Sequence, residues 1–251
     1  MTKTVFITGA TSGFGMATAR RFAAEGWQTI ITGRRGERLD ALKAELKTPC
    51  HAAVMDVTDK AAVNAVVAAL PAAFTPIDVL VNNAGLALGL GTADQADITD
   101  WETMVETNIM GVLYCTKAIL PQMIDNGYGH VVNIGSIAGN WPYPGGNVYG
   151  ATKAFVRQFS LNLRADLVGK NIHATDIEPG LSETEFSQVR FKGDADKASQ
   201  VYTDTQPMRP EDIADAVYWA ASRPRNVNIN RIEMMAGCQA FASFNIVRGL
   251  T

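Results

Sequence analysis

Short apolar, β-prone runs alternate with longer helical stretches along almost the whole chain. This alternation limits the fold more than any other feature. Strands that each return through a helix run parallel, and a parallel sheet needs helices on both faces. The strand candidates are Val5–Ile7, Thr29–Thr32, Ala52–Met55, Val79–Val81, Val131–Ile134, Ile172–Ile177 and Ile232–Met235. Helix candidates lie between them at about 15–25, 36–46, 63–70, 100–123, 147–167 and 212–221, with Pro210 and Glu211 suited to the first turn of the last. The strands are nearly continuous in apolar residues, as strands buried on both faces must be. The expected fold is α/β: a doubly wound parallel sheet of about seven strands, in one domain over residues 1–251. The polar stretch 181–208 is long for a connection and reads as a lid within that domain.

Composition removes several classes of function. Hydrophobic residues make up 47% of the chain and charged residues 19%, which suits a large core and excludes a disordered chain. The net charge of −3 offers no field for nucleic acid or an anionic membrane. Cys50, Cys115 and Cys238 are odd in number and form no CxxC pair, so free thiols in a reducing compartment are expected. His51, His130 and His173 stand at no metal-ligand spacing, and no metal site is expected. The first apolar run is too short for a signal-peptide core, and no segment approaches the ~18 apolar residues of a membrane span. The expectation is a soluble, cytoplasmic protein.

The first strand runs into Thr8-Gly9-Ala10-Thr11-Ser12-Gly13-Phe14-Gly15 and then a helix. A sharp turn that lets backbone approach a pyrophosphate needs glycine, and the helix N-terminus offers unpaired N–H groups and the positive end of its dipole. This is a Rossmann-type dinucleotide cradle. Cofactors with a free ribose 2′-hydroxyl usually meet an acid near the end of the second strand. Here that strand ends in Gly33-Arg34-Arg35, with Arg38 one turn later. Guanidinium groups match phosphate oxygens, so Arg34 and Arg35 read as a clamp on the 2′-phosphate of NADP(H).

Tyr149 and Lys153, four residues apart on a helix candidate, share one face. A free phenol has a pKa of about 10, and a nearby ammonium lowers it toward a useful acid/base. Such a pair is common on protein surfaces. Ser136 gives it meaning, because it ends the fifth strand, at the edge where open α/β sheets bind ligands.

These motifs together resemble the short-chain dehydrogenase/reductase family over nearly the whole chain. The TGxxxGxG pattern is matched by Thr8, Gly9, Gly13 and Gly15. NNAG is matched by Asn82-Asn83-Ala84-Gly85, and the family's helix asparagine by Asn108. The serine is Ser136, YxxxK runs from Tyr149 to Lys153, and PGxxxT is matched by Pro179, Gly180 and Thr184. Phe14 stands where an aliphatic residue is usual. The resemblance implies an oxidoreductase acting on CH–OH groups, with Tyr149 as proton donor and acceptor. It implies that Lys153 lowers the phenol's pKa and holds the nicotinamide ribose, that Ser136 orients substrate, and that Asn108 supports a water. It implies further NADP contacts from Thr11, Ser12, Asp56, Val57 and Ala84, with Asn82 bracing the cofactor side. It also implies a homotetramer built through the long helices at about 100–123 and 147–167.

Trp141-Pro142-Tyr143 and the lid run Glu185–Phe191 resemble more narrowly the NADP-dependent 3-hydroxy acid dehydrogenases, which act on serine or malonic semialdehyde, and the similar sulfoacetaldehyde reductases that form isethionate. Asn140, Trp141, Tyr143, Asn147 and Arg190 then join Ser136 and Tyr149 as substrate-site candidates. Phe186, Val189 and Phe191 are expected to close over the site. Arg190 suits an anionic group, whether carboxylate or sulfonate. Two other readings stay open: a non-catalytic NADP-binding regulator, and an enzyme for bulky apolar carbonyls. The stretch Met234–Val247, with Phe241 and Phe244, is expected either to cover a neighbouring subunit or to pack on its own core.

Overall fold

The computed structural model describes residues 2–241. Seven strands form one parallel sheet: β1 (Thr4–Ile7), β2 (Gln28–Gly33), β3 (Cys50–Val54), β4 (Val79–Asn82), β5 (Gly129–Ile134), β6 (Ile172–Pro179) and β7 (Arg231–Met234). Their spatial order is β3-β2-β1-β4-β5-β6-β7. The order reverses direction between β1 and β4, which opens a crevice at the carboxyl ends of those strands. In register, Ile7 pairs with Ile31 and Val81, and Ile134 pairs with Ile177.

Side chains alternate across each strand, so the sheet has two cores. On one face Val5, Ile7, Ile31, Val81 and Ile177 meet α1 (Gly13–Ala24), α2 (Gly36–Glu45) and α9 (Pro210–Ala221), with Phe22 and Val217 at the centre. On the other face Phe6, Ile30, Leu80 and Val131 meet α3 (Lys60–Ala68), α5 (Gly111–Asp125) and α6 (Asn147–Asp166). Phe6, Phe22, Ile30 and Leu80 are fully buried, each contributing roughly 1.5–3 kcal/mol by leaving water.

The helix expected over 100–123 is two helices, α4 (Ile98–Val105) and α5, joined without a break by a π-helical turn over Glu106–Met110. The extra residue in such a turn re-aims side chains, and here it turns Asn108 into the interior. The stretch 181–208 carries two short helices, α7 (Phe186–Arg190) and α8 (Ala195–Gln200). No helix among the described residues is long and apolar enough to cross a membrane, and none of their His, Cys, Asp and Glu side chains cluster as a metal site would require.

Candidate active site

One cleft of about 580 Å³ opens over the carboxyl ends of β1, β4, β5 and β6. Its floor at one end is the glycine turn. Gly9 and Gly13 have φ of +66° and +51°, and a Cβ on Gly9 would lie 2.9 Å from the Ala84 Cα. Only glycine fits there without moving backbone. The N-cap of α1 is Ser12, whose side chain makes no capping hydrogen bond. The first-turn N–H groups therefore remain available to a phosphate.

The turn is braced from just beyond β4 by Asn83. Its Nδ2 donates to Thr8 O at 2.8 Å and Gly9 O at 3.1 Å. The Thr8 hydroxyl accepts from the Asn83 and Ala84 N–H groups at 3.0 and 2.9 Å. Asn82, expected in this bracing role, points the other way. It is 3% exposed, donates to Thr116 Oγ1 and Asn133 Oδ1, and does not line the cleft. The strand's alternation explains the exchange: neighbouring residues face opposite sides.

Arg34, Asp56 and Val57 line the cleft beside the glycine turn. Arg35 is tied to that turn through Thr11 Oγ1 (2.7 Å) and Ser12 Oγ (3.0 Å). Arg35 and Arg38 also converge on one lid carboxylate, Glu185, at 3.1 and 2.7 Å. Burial works against that charge, but the hydrogen bonds from Arg38 and Arg35 hold the carboxyl below its usual range. Glu185 was read in the sequence only as part of the lid run. Its pairing could not be seen, because the partners lie 150 and 147 positions away. Thr184 reaches the turn as well, its Cβ standing 3.4 Å from where a Cβ of Gly13 would be.

At the other end of the cleft Ser136, Tyr149 and Lys153 come together, at 8%, 9% and 6% exposure. Lys153 Nζ donates to Ile134 O at 2.7 Å and lies 5.9 Å from the Tyr149 ring centre. Burial pulls its pKa down to about 8. Burial pushes the Tyr149 phenol up to about 12, against a hydrogen bond with Ser136 and the charge of Arg190. Desolvation, not the lysine, therefore dominates the phenol in the protein alone. Asn108 is 1% exposed and lies behind the cleft wall, not on it. It accepts from Leu86 N–H (2.9 Å) and donates to Leu86 O (2.8 Å) and Thr152 Oγ1 (3.1 Å).

Arg190 enters from the lid. It donates to Tyr143 OH at 2.6 Å and Gly89 O at 3.3 Å, and its guanidinium carbon lies 5.5 Å from the Tyr149 ring centre. Phe186 packs on Tyr149 with ring centres 5.7 Å apart. Val189 joins the lining, whereas Phe191 does not. Trp141 and Tyr143 line the cleft, but Asn140 and Asn147 do not. Asn140 is engaged with Glu178 (2.7 Å), Glu233 (2.9 Å) and Arg157 (2.8 Å), and Asn147 with Gly91 O (3.1 Å). Both were placed at the pocket because they flank its aromatic wall, yet their amides serve the wall's own folding. Phe241 packs on Trp141 with ring centres 4.3 Å apart, so this part of the C-terminal stretch covers its own subunit. Phe244 lies outside the described residues.

Residues 3–195 match the short chain dehydrogenase family. The chain belongs to that family. It is 57% identical over 245 residues, 97% of this chain and 99% of the relative, to the NADP-dependent 3-hydroxy acid dehydrogenase YdfG of Salmonella typhi. It is 53% identical over 248 residues, 99% of each chain, to serine 3-dehydrogenase of Agrobacterium fabrum. Among solved structures, the closed form of serine dehydrogenase complexed with NADP+ superimposes with a TM-score of 0.97 at 54% identity, covering 98% of this chain and 100% of that one.

Proposed function

We propose that this chain moves hydride between NADP(H) and a small hydroxy or carbonyl compound bearing an anionic group: a 3-hydroxy acid such as serine in oxidation, malonic semialdehyde in reduction. It is an NADP-dependent oxidoreductase acting on CH–OH groups, as its relatives are named. The glycine turn, the open N-terminus of α1, and the arginines at its rim fit a dinucleotide with a 2′-phosphate. Gly9, Thr11, Ser12, Gly13, Ala84, Gly85 and Thr184 would hold its phosphates and nicotinamide half, and Arg34, Arg35 and Arg38 its 2′-phosphate. When bound, the cofactor gives or takes the hydride and, oxidised, adds a positive charge that lowers the phenol's pKa.

Tyr149 takes the alcohol proton in oxidation and gives one to the carbonyl in reduction. Ser136 directs its hydroxyl at the substrate oxygen and shares the charge that develops there. Lys153, fixed by Ile134 O, keeps a cation near the phenol. Phe186 seals the cleft against water. The reading rests on Arg190: a half-buried guanidinium on a lid helix, beside the catalytic tyrosine, held by Tyr143 and Gly89 with donors to spare. Replacing it with alanine should cost two charge-assisted hydrogen bonds, a rise of at least about 100-fold in KM for malonic semialdehyde. A neutral short aldehyde should scarcely change. An equal loss on both would overturn the role. The same NADPH assay run with sulfoacetaldehyde and a bulky neutral ketone fixes the substrate class: a higher kcat/KM on the sulfonate replaces the carboxylate reading, and a preference for the ketone removes it.

The exposed Val105 on α4 and Leu161 on α6, 38% and 40% accessible, support pairing of those helices between copies in a tetramer. Light scattering of the purified protein checks the mass.

A further inference from the structure

Beneath Lys153 lies a set of buried charges that the scheme above does not use. β6 is sheltered along its whole length, yet it carries Asp176 and Glu178, 1% and 0% exposed. Two residues apart on a strand, they share a face. It is the face toward α6, since Ala174 on that side belongs to the core packed under α5 and α6. Among the described residues, both oxygens of Asp176 and Oε1 of Glu178 find no hydrogen-bond partner. Glu178 Oε2 is better served, accepting from Asn140 at 2.7 Å and pairing with Arg231 at 2.8 Å. Beside a second carboxylate in a low dielectric Asp176 holds its proton more tightly than a free acid, and that proton can bridge two of the three orphaned oxygens.

The pair is joined to the catalytic lysine through one peptide group. A Cβ on Gly135 would overlap Asp176 Oδ1, so that carboxylate lies against the Ile134–Gly135 peptide. Lys153 Nζ donates to the carbonyl of the same peptide. Among the described residues Lys153 Nζ has no anion as a hydrogen-bond partner, and Asp176 is the acid whose charge opposes its desolvation. The other groups facing the pair are Arg157 from α6, Asn140 from the turn after β5, and Arg231 and Glu233 from β7. Across β5, Asp176 is in register with the neutral Asn133.

We propose that Asp176 is a positioning residue: its carboxyl, set between Glu178 and the peptide that Lys153 grips, governs the charge of Lys153, and through that charge the acidity of Tyr149. Once Asp176 gives up its proton, its own charge, and not that of Glu178, holds the ammonium in its protonated form. Burial and the neighbouring Glu178 both raise the pKa of Asp176, which brings its ionisation toward the range where Lys153 titrates. The proposal rests on the roles given above to Tyr149 and Lys153.

Opposite shifts from two neighbouring substitutions test it. Asp176→Asn removes the charge that opposes desolvation, so Lys153 should lose its proton about one pH unit lower. Glu178→Gln removes the carboxylate that makes Asp176 keep its proton. Asp176 then ionises at lower pH, and Lys153 should keep its own proton to higher pH. The titration is read by 15N NMR of labelled lysine Nζ in the cofactor-free enzyme, the Lys153 signal being assigned with Lys153→Arg. The alkaline limb of kcat/KM should move the same way in each variant. Shifts in one direction for both, or in neither, overturn the proposal, since damage to packing would not change sign. If Asp176→Asn does not fold by circular dichroism, Glu178→Gln decides alone: an unmoved or lowered Lys153 titration is fatal. Loss of the catalytic reading itself would show separately, as full turnover by Tyr149→Phe with the lysine titration unaffected.

Discussion

The two ends of β5 and β6 both bury titratable side chains, and they treat them in opposite ways. At the amino end His130 and His173 meet edge to face with ring centres 5.4 Å apart. His130 Nε2 shares a hydrogen bond with Thr175 Oγ1 at 2.7 Å, and burial, helped by His173, pulls its pKa to about 3. It is uncharged at any ordinary pH and serves as packing. At the carboxyl end Lys153, Asp176 and Glu178 are as deeply buried, but each has a charge of the opposite sign within its surroundings. Burial alone therefore does not make a group reactive. A histidine allowed to discharge becomes inert, whereas groups that hold one another's charge stay poised to titrate.

The comparison breaks most visibly at the carboxyl end. Tyr149→Phe should lower kcat about 10³-fold while NADP+ still quenches tryptophan fluorescence at wild-type concentrations; a variant with full turnover removes the acid/base role. Next in size, the double substitution Arg35→Ala and Arg38→Ala should raise KM for NADPH about 100-fold, two charge-assisted bonds being lost. Release of Glu185 from the lid should lower kcat with either cofactor, but KM for NADH should barely move, and an equal rise in KM for both cofactors would detach these arginines from the 2′-phosphate. At the amino end the expected effect is on stability alone. His130→Gln should destabilise by about 1–3 kcal/mol in urea unfolding, with the pH profile of kcat/KM unchanged. A moved profile would mean that the two ends communicate.

The smallest effect is a slope. The folded His130 takes no proton until pH falls to about 3, while the unfolded chain takes one near pH 6.5. Below that value the unfolded state binds more protons, so stability is fully present above about 6.5 and falls with decreasing pH by up to about 1.4 kcal/mol per unit. Melting temperatures recorded from pH 7.5 to 5 should fall less steeply in His130→Gln than in the wild type.

Much of this was legible in the sequence, for a physical reason. The sheet could be read because strands buried on both faces are continuous in apolar residues, and all seven strand candidates lie within a residue or two of those found. The glycine turn, Ser136, Tyr149 and Lys153 could be read because turn geometry and helix spacing are local properties. What escaped was settled by facing and by distant partners. Asn82 and Asn83 are adjacent, and only the phase of the strand says which one meets the turn. Asn140 and Asn147 are polar residues beside a pocket, and their hydrogen bonds run to β6, β7, α6 and a distant loop. Asp176 passed as a strand residue and Glu178 fell just beyond the expected end of that strand, although two acids of matching phase on either side of Ile177 were a readable sign of pairing below the surface. The π-helical turn at Asn108 has no local signature at all.

Glu185 carries a practical lesson for redesign. Because its carboxylate rests on both Arg35 and Arg38, the flap over the substrate is fastened to the side chains that read the cofactor's ribose. An engineer who strips those arginines to make the enzyme accept the cheaper, non-phosphorylated coenzyme would also untie the flap. A successful swap needs a second edit, a new cationic or hydrogen-bonding anchor for position 185, and libraries that vary only the ribose-reading residues should stall on poorly closing intermediates.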